Sequence, residues 1–185
     1  MVTQKHDFLY TANFCEENIW KLGQRLVASE KTPTLKYVLL LSNHERHIPL
    51  YHQQHSSQGQ PVIWDYHVIL LDANKQLIYD FDSHLPFPIA ANHYFQETVM
   101  SSAIPEWRVW VRAIPLPDYL AHFSSNRAHM LTQNAALPSV WPDYPPIIAQ
   151  TQPITLMRYL DFEQDITGCL LFQATQYAGW VKAIP

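Results

Sequence analysis

A cysteine, a histidine and two aspartates in the N-terminal half of the chain could together perform nucleophilic acyl chemistry. Cys15 lies where a helix is predicted to begin, because Asn13 can act as N-cap and Glu16, three residues later, completes a capping box. The backbone N–H groups and the dipole at such a position lower the pKa of a thiol and can bind a developing oxyanion. Cys15 is therefore predicted to be a nucleophile, and the alternative is a small buried apolar residue.

His67 is the candidate base, and it lies in the clearest β pattern of the sequence. Residues 61–72 and 76–82 are rich in β-branched and aromatic side chains and predict an antiparallel hairpin. A two-residue turn places Asp80 opposite His67, and a turn shifted by one residue places Asp82 there instead. Either register brings a carboxylate beside the imidazole, although a half-buried structural histidine remains the alternative.

Other patterns predict the elements that position these residues. A helix is predicted over residues 14–30 and a buried strand over 37–42, followed by a polar loop over 43–60. The remaining predictions are a strand at 106–114, a short helix at 118–123, irregular chain at 124–153, a helical stretch at 154–161 and an apolar segment at 169–177. Together they predict one α+β catalytic domain over residues 1–185.

Composition excludes several classes of protein. The 185 residues are 48% apolar and 15% charged, which is incompatible with wholesale disorder, and no apolar run is long enough for a transmembrane helix. The net charge of −4, without any Lys/Arg-rich stretch, argues against a nucleic-acid or membrane partner. Four glycines do not form a phosphate-binding loop, and two cysteines without a leader indicate a reducing cytoplasm.

A group of histidines is the one other candidate site in the sequence, and it would be a metal site. Four of them lie in the polar loop with paired spacing, as zinc ligands can: His44, His47, His52 and His55. The glutamines and the apolar residues between them indicate a loop without fixed geometry, so no metal site is predicted. Cys169 lies in an apolar run and is predicted to belong to the core.

Five segments carry a resemblance to a known family, in the same order along the chain. They are CEENIWKL (15–22), SNHERHIPLY (42–51), PVIWDYHVILL (61–71), IYDFDSHLPFP (78–88) and FSSNRAHM (123–130). They resemble the protein N-terminal glutamine amidohydrolase family, of which the WDYHV string is the signature. Residues 131–185 match weakly, chiefly around GCLLF.

The resemblance implies a papain/transglutaminase-like α+β fold with an antiparallel sheet and with the nucleophile at the N-terminus of a helix. Cys15 then matches the family nucleophile, His67 the general base, and Asp80 the orienting carboxylate. The implied activity is deamidation of the N-terminal glutamine of peptides and proteins, through a thioester and with release of ammonia. The family implies a monomer without a cofactor.

An enzyme that requires a free α-amine needs an acidic acceptor near its cleft. Candidates are Glu16, Glu17, Glu45 and Asp65, and Trp64 could form an aromatic wall. The triad itself does not distinguish amide substrates, so a related protease or transglutaminase remains an alternative. A non-catalytic binding module on the same fold is another.

Overall fold

The structure is a computed structural model that describes residues 4–32, 34–57, 59–99, 104–127, 130 and 140–182. Ten strands are described: β1 (Lys36–Ser42), β2 (Ile48–Leu50), β3 (Val62–Trp64), β4 (His67–Asp72), β5 (Leu77–Tyr79), β6 (Ile89–Ala90), β7 (Trp110–Pro115), β8 (Phe123–Ser124), β9 (Ile154–Thr155) and β10 (Leu170–Gln173). The described α-helices are α1 (Cys15–Ser29), α2 (Ala91–Thr98), α3 (Leu116–His122), α4 (Leu156–Tyr159) and α5 (Tyr177–Lys182). Short 3₁₀ turns lie at Lys5–Asp7, Pro105–Trp107 and Ala174–Gln176. The predicted α+β class is confirmed.

A six-stranded antiparallel sheet forms the centre, in the order β10-β7-β1-β4-β5-β6. β1 lies between β4 and β7, and its aliphatic residues are buried on both faces of the sheet. A strand covered on both faces reads as a continuous apolar run, as YVLLL does here. β2 pairs with β3, and β8 with β9, in two small sheets beside the main one.

Helices cover both faces of this sheet. On one face α1, α3 and α4 pack on Val38, Leu40, Val68 and Leu70. On the other face α2 and α5 pack on the alternate residues Leu39, Leu41, Ile69 and Leu71. The alternation of side chains along β1 and β4 therefore divides one sheet between two apolar cores.

The predicted helix at 14–30 is confirmed at Cys15–Ser29, but its capping was predicted wrongly. Phe14 is the N-cap residue, and no side chain makes a capping hydrogen bond there. Asn13 has a positive φ of 68° and stands one residue too early. The amide of Asn18 instead bonds both to the N–H and to the C=O of Thr11, so the chain before the helix is fixed from inside the helix.

The long strand predicted at 61–72 is in fact two strands in different sheets. The chain breaks at Asp65 and Tyr66, where Ser42 Oγ donates to the Asp65 carbonyl at 2.6 Å and the Asp65 carboxylate accepts the Tyr66 N–H at 2.9 Å. These bonds replace ladder pairing at the break. As a result, His67 is the first residue of β4 and lies at the end of the central sheet.

Other elements are close to their predicted positions. β1 and α3 fall where a strand and a short helix were predicted, β7 forms the second half of the predicted strand, and β5 is shorter than the predicted 76–82. The predicted loop at 43–60 contains β2, and the helix at 154–161 is a two-residue strand followed by α4. The irregular stretch at 124–153 falls partly outside the described residues.

No helix among the described residues is long and apolar enough to cross a membrane.

Candidate active site

Cys15 is the first residue of α1 and is 5% exposed. Its thiol donates to Glu16 Oε2 at 3.6 Å and contacts the backbone of Val68, the neighbour of His67 on β4. Burial raises the pKa of the Cys15 thiol well above its ordinary value, and the charges of Glu16 and Asp82 raise it further, against the backbone of Val68, which lowers it. The expectation of a low pKa at this helix start was wrong, because burial and nearby carboxylates outweigh the helix terminus. The resting group is a thiol.

His67 and Asp80 form a direct, buried pair. Nε2 of His67 lies 2.9 Å from Asp80 Oδ1, and both side chains are closed to solvent. Nδ1 of the same ring is buried and has no hydrogen-bond partner among the residues that the structure describes. The indole of Trp64 stacks on the imidazole with ring centroids 5.2 Å apart. The ring therefore has one nitrogen bound to a carboxylate and the other available for proton transfer.

The hairpin register differs from the one that would place Asp80 opposite His67. Leu70 pairs with Tyr79 and Asp72 with Leu77, so a continued ladder would place Asp82 opposite His67. However, β5 ends at Tyr79, and the chain turns so that Asp80 bonds to the imidazole while the backbone N–H of Asp82 donates to Asp80 Oδ1 at 2.9 Å. Strand pairing alone would have placed Asp82, and not Asp80, beside His67.

Three further donors fix Asp80. The hydroxyl of Tyr94 donates to Oδ2 at 2.8 Å, the amide of Gln53 to Oδ2 at 3.3 Å, and the Asp82 N–H to Oδ1. Burial alone would raise the pKa of Asp80, but His67 and the hydrogen bonds from Tyr94 and the Asp82 N–H hold it below its ordinary value. Tyr94 and Gln53 were not predicted as site residues, because both are brought to the site from other parts of the chain.

The pKa of His67 is shifted in the opposite direction to that of Asp80. Burial would lower the pKa of the imidazole, yet Asp80, Asp82 and Glu16 together raise it above its ordinary value. The imidazole is therefore surrounded by carboxylates that favour its protonated form.

The acidic candidates for substrate binding have different surroundings. Glu16 is fully buried, and its Oε2 accepts from the Tyr66 hydroxyl at 3.2 Å; burial, opposed by its hydrogen bonds, raises the pKa of Glu16 to about 7. Glu17 is also buried and is bound by Arg127 through two hydrogen bonds of 2.9 and 2.8 Å. Glu45 is exposed on the loop after β1.

Asp82 is a further carboxylate of the site, and it was predicted only as a possible partner of His67. It is 2% exposed, and its Oδ1 accepts from the Tyr10 hydroxyl at 2.5 Å. Burial raises the pKa of Asp82, although His67 opposes this. Asp82 therefore adds a second acidic group beside the pair of His67 and Asp80.

Residues of the site could also offer ligand atoms to a metal ion. Within the described ranges, one set of three residues offers ligand atoms that all lie within 4.8 Å of one another: His67, Asp80 and Asp82. The four loop histidines, His44, His47, His52 and His55, are exposed and do not belong to that set. Cys169, predicted to be a core residue, is only partly buried, and burial raises its pKa to about 11.

Taken together, the geometry offers a thiol at a helix start and, on the adjacent strand, an imidazole oriented by a buried carboxylate. Such a set can transfer an acyl group through a covalent thioester. The first N–H groups of α1 have no carbonyl within the helix to bind, and can stabilise an oxyanion.

Comparison with known proteins gives a consistent result. Residues 10–181 match the model of the N-terminal glutamine amidase family. The chain is 39% identical over 143 residues to the protein N-terminal glutamine amidohydrolase of Danio rerio, covering 74% of this chain and 71% of that protein. It is 38% identical over 152 residues to the protein of the same name from Drosophila mojavensis, and 37% identical to that of Drosophila ananassae, covering 78% of this chain and 74% of each relative.

Proposed function

The chain belongs to the N-terminal glutamine amidase family, and we propose that it hydrolyses the side-chain amide of an N-terminal glutamine with Cys15, His67 and Asp80 as its catalytic triad. The observation that carries the triad is the buried bond between His67 Nε2 and Asp80 Oδ1, which leaves Nδ1 as the free nitrogen. Peptides and proteins that begin with glutamine are the substrates.

The first half of the reaction forms a thioester. Nδ1 of His67 accepts the Cys15 proton as the sulfur attacks the amide carbon, so the thiolate forms only when it is needed. The negative oxygen of the tetrahedral intermediate binds at the start of α1. The carbon–nitrogen bond then breaks, and His67 donates its proton to the leaving ammonia.

The second half releases glutamate. Neutral His67 removes a proton from water, which attacks the thioester carbon. The carbon–sulfur bond breaks, and the imidazolium returns its proton to the sulfur. Asp80 holds the imidazole in one tautomer and stabilises its charged form in both halves. The net reaction consumes one water and releases one ammonia.

The protein that performs this reaction is proposed to be a single catalytic domain with a papain/transglutaminase-like arrangement. The supporting observations are the antiparallel sheet and the cysteine at the N-terminus of α1. Its triad supplies the nucleophile, the base and the orienting acid, so no cofactor takes part. The proposed enzyme is a cytoplasmic monomer, and its net charge of −4 supports the proposal that it binds neither nucleic acid nor an anionic membrane.

The test is ammonia release from four matched peptides. One begins with glutamine, one begins with asparagine, one begins with acetylated glutamine, and one carries glutamine only at an internal position. Rapid release from the first peptide alone is expected, because asparagine is one methylene shorter and the other two lack a glutamine with a free amine. Similar rates on internal glutamine would indicate a transglutaminase, and backbone cleavage would indicate a protease.

A further inference from the structure

We propose that Asp82 is the acceptor for the substrate's α-ammonium group, and that Tyr10 positions this carboxylate. The inference rests on the proposed function, since only a substrate with a free N-terminus carries this ammonium beside the reacting amide. Asp82 thereby becomes the residue that restricts the enzyme to N-terminal glutamine.

The carboxylate of Asp82 is buried and only half used. Oδ1 accepts the Tyr10 hydroxyl, whereas Oδ2 accepts no hydrogen bond from any residue in the described part of the chain. No described ion pair within 4.0 Å includes Asp82; the nearby Lys5 donates to the carbonyl of Ser83 instead. A buried carboxylate that no cation contacts directly is costly, and a bound ammonium group would compensate its charge.

Asp82 lies beside the base, at the site where the amide must react. A carboxylate oxygen of Asp82 lies within 4.8 Å of a ring nitrogen of His67 and of an Asp80 oxygen. Four bonds of about 1.5 Å separate the amide carbon of glutamine from its α-nitrogen, so these atoms lie about 5 Å apart when the side chain is extended. Because Asp82 lies beside His67 and its charge also acts on the Cys15 thiol, a glutamine bound there by its amine extends its amide within the same site, and asparagine reaches one methylene less far.

The other acidic groups fit less well. Glu16 Oε2 lies only 3.6 Å from Cys15 Sγ. The amine of an extended glutamine lies about 5 Å from the amide carbon that the sulfur attacks, which is farther than Glu16 Oε2 lies from the sulfur. Glu17 is already neutralised by Arg127, and Glu45 is exposed. Asp65 accepts the Tyr66 N–H at the break between β3 and β4, and is the competing candidate in the experiment.

Tyr10 prepares the carboxylate for this role. Its ring stacks on Phe81 with centroids 5.8 Å apart, and its hydroxyl holds Oδ1 at 2.5 Å. This arrangement fixes the side chain and leaves Oδ2 for the ammonium.

Binding of the ammonium would also prepare the base. His67 faces three acidic groups, Asp80, Asp82 and Glu16, which favour its protonated form. A cation on Asp82 offsets one of these charges, so the imidazole loses its proton more readily once the substrate is bound. An acetylated or internal glutamine provides no such cation.

The experiment combines variants with a change in the substrate. Wild type, Asp82→Asn and Asp65→Asn are assayed on a glutamine-first peptide and on its des-amino analogue, in which a 4-carbamoylbutanoyl group replaces glutamine. Asparagine keeps the volume of Asp82 and an oxygen for Tyr10. In wild type the amine should improve kcat/KM by at least about 100-fold, the size expected of a charged hydrogen bond at a buried site.

In Asp82→Asn, the ratio of kcat/KM on the glutamine peptide to kcat/KM on its des-amino analogue should fall to near one, mainly through a higher KM for the glutamine peptide. Asp65→Asn should keep the wild-type ratio. A wild-type ratio in Asp82→Asn, or a ratio near one in Asp65→Asn alone, would overturn the assignment of Asp82, although the proposed function would still stand. An inactive wild type on the glutamine peptide would overturn the proposed function and this inference with it.

Binding keeps the inference testable if Asp82→Asn has no turnover. In a Cys15→Ala background, calorimetry should show that the glutamine peptide binds about 100-fold more tightly than the des-amino peptide. The preference should disappear in Cys15→Ala/Asp82→Asn, whose folding is checked by its circular dichroism melt. A preference that persists in the double variant refutes the role of Asp82.

Discussion

At the scale of single residues, proton positions control the chemistry. Burial and neighbouring carboxylates raise the pKa of Cys15, whereas the pKa of His67 is raised by its neighbouring carboxylates against the effect of burial. The resting site therefore favours a thiol beside a protonated imidazole. Only the neutral imidazole can accept the thiol proton. Activity is therefore expected to depend on the deprotonation of His67.

The direction of the His67 pKa shift predicts how kcat/KM depends on pH. The raised pKa of His67 means that activity on a glutamine-first peptide should be lost as pH falls through a value above the ordinary histidine pKa of about 6.5. Asp80, Asp82 and Glu16 all face the ring and act in this direction. Initial rates at closely spaced pH values measure the acid limb, and a midpoint below that ordinary value would contradict the account.

Asp80 is expected to affect turnover more than binding. Asp80→Asn can hold His67 in the wrong tautomer and should lower kcat by about 10⁴-fold, with little change in KM. Steady-state kinetics on the glutamine-first peptide provide the measurement. Asp82→Asn is the matched control, because its effect should fall mainly on KM and depend on the substrate amine. A small change in kcat for Asp80→Asn would remove Asp80 from the triad.

At the scale of elements, the site depends on how α1 is attached. Glu17 in the first turn of α1 binds Arg127 through two buried hydrogen bonds, and Arg127 also donates to the Tyr144 carbonyl at 3.0 Å. This ion pair joins the helix that carries Cys15 to the chain after β8. The attachment uses residues 110 positions apart in sequence.

Glu17→Gln should therefore destabilise the fold. It leaves the Arg127 guanidinium buried without its counter-charge, and should lower the free energy of unfolding by about 3 kcal/mol. The matched control is Glu97→Gln, whose pair with His52 is solvent-exposed at 3.5 Å and should cost less than about 1 kcal/mol. Urea denaturation measures both variants, and equal losses would contradict the assigned role of the buried pair.

Local patterns predicted the elements that carry the triad. The apolar spacing in α1, the apolar run of β1 and the β-rich segments of β4 and β5 are properties of consecutive residues, and the structure confirms these elements. The helix α2 was not predicted, although its buried residues Ala91, Tyr94, Phe95 and Thr98 have helical spacing. That signal was present in the sequence.

Contacts between distant residues could not be predicted in this way. The segment VIWDYHVILL reads as one strand, and its break at Asp65 depends on a hydrogen bond from Ser42, 23 positions away. The donors to Asp80 from Gln53 and Tyr94 lie 27 and 14 positions away. The choice between Asp80 and Asp82 came from the family resemblance, since the strand register alone leads to the other aspartate.

At the scale of the whole molecule, two apolar cores share one sheet. β1 and β4 contribute alternate residues to both cores, so neither core can lose its packing while the other keeps an intact sheet. Thermal unfolding should therefore be a single transition in which far-UV circular dichroism and enzymatic activity are lost together. Two separate transitions would show that the chain contains two independent units.

The central claim is that the Cys15 thiol attacks the amide of an N-terminal glutamine, and replacing its sulfur tests this most directly. Ammonia release from a glutamine-first peptide is measured for wild type, Cys15→Ser and Cys169→Ser, with product masses determined in ¹⁸O-labelled water. Wild type and Cys169→Ser should release ammonia and place one labelled oxygen in the new glutamate side chain. Cys15→Ser should release none while melting at nearly the wild-type temperature. Ammonia release by a folded Cys15→Ser variant at the wild-type rate would contradict the claim.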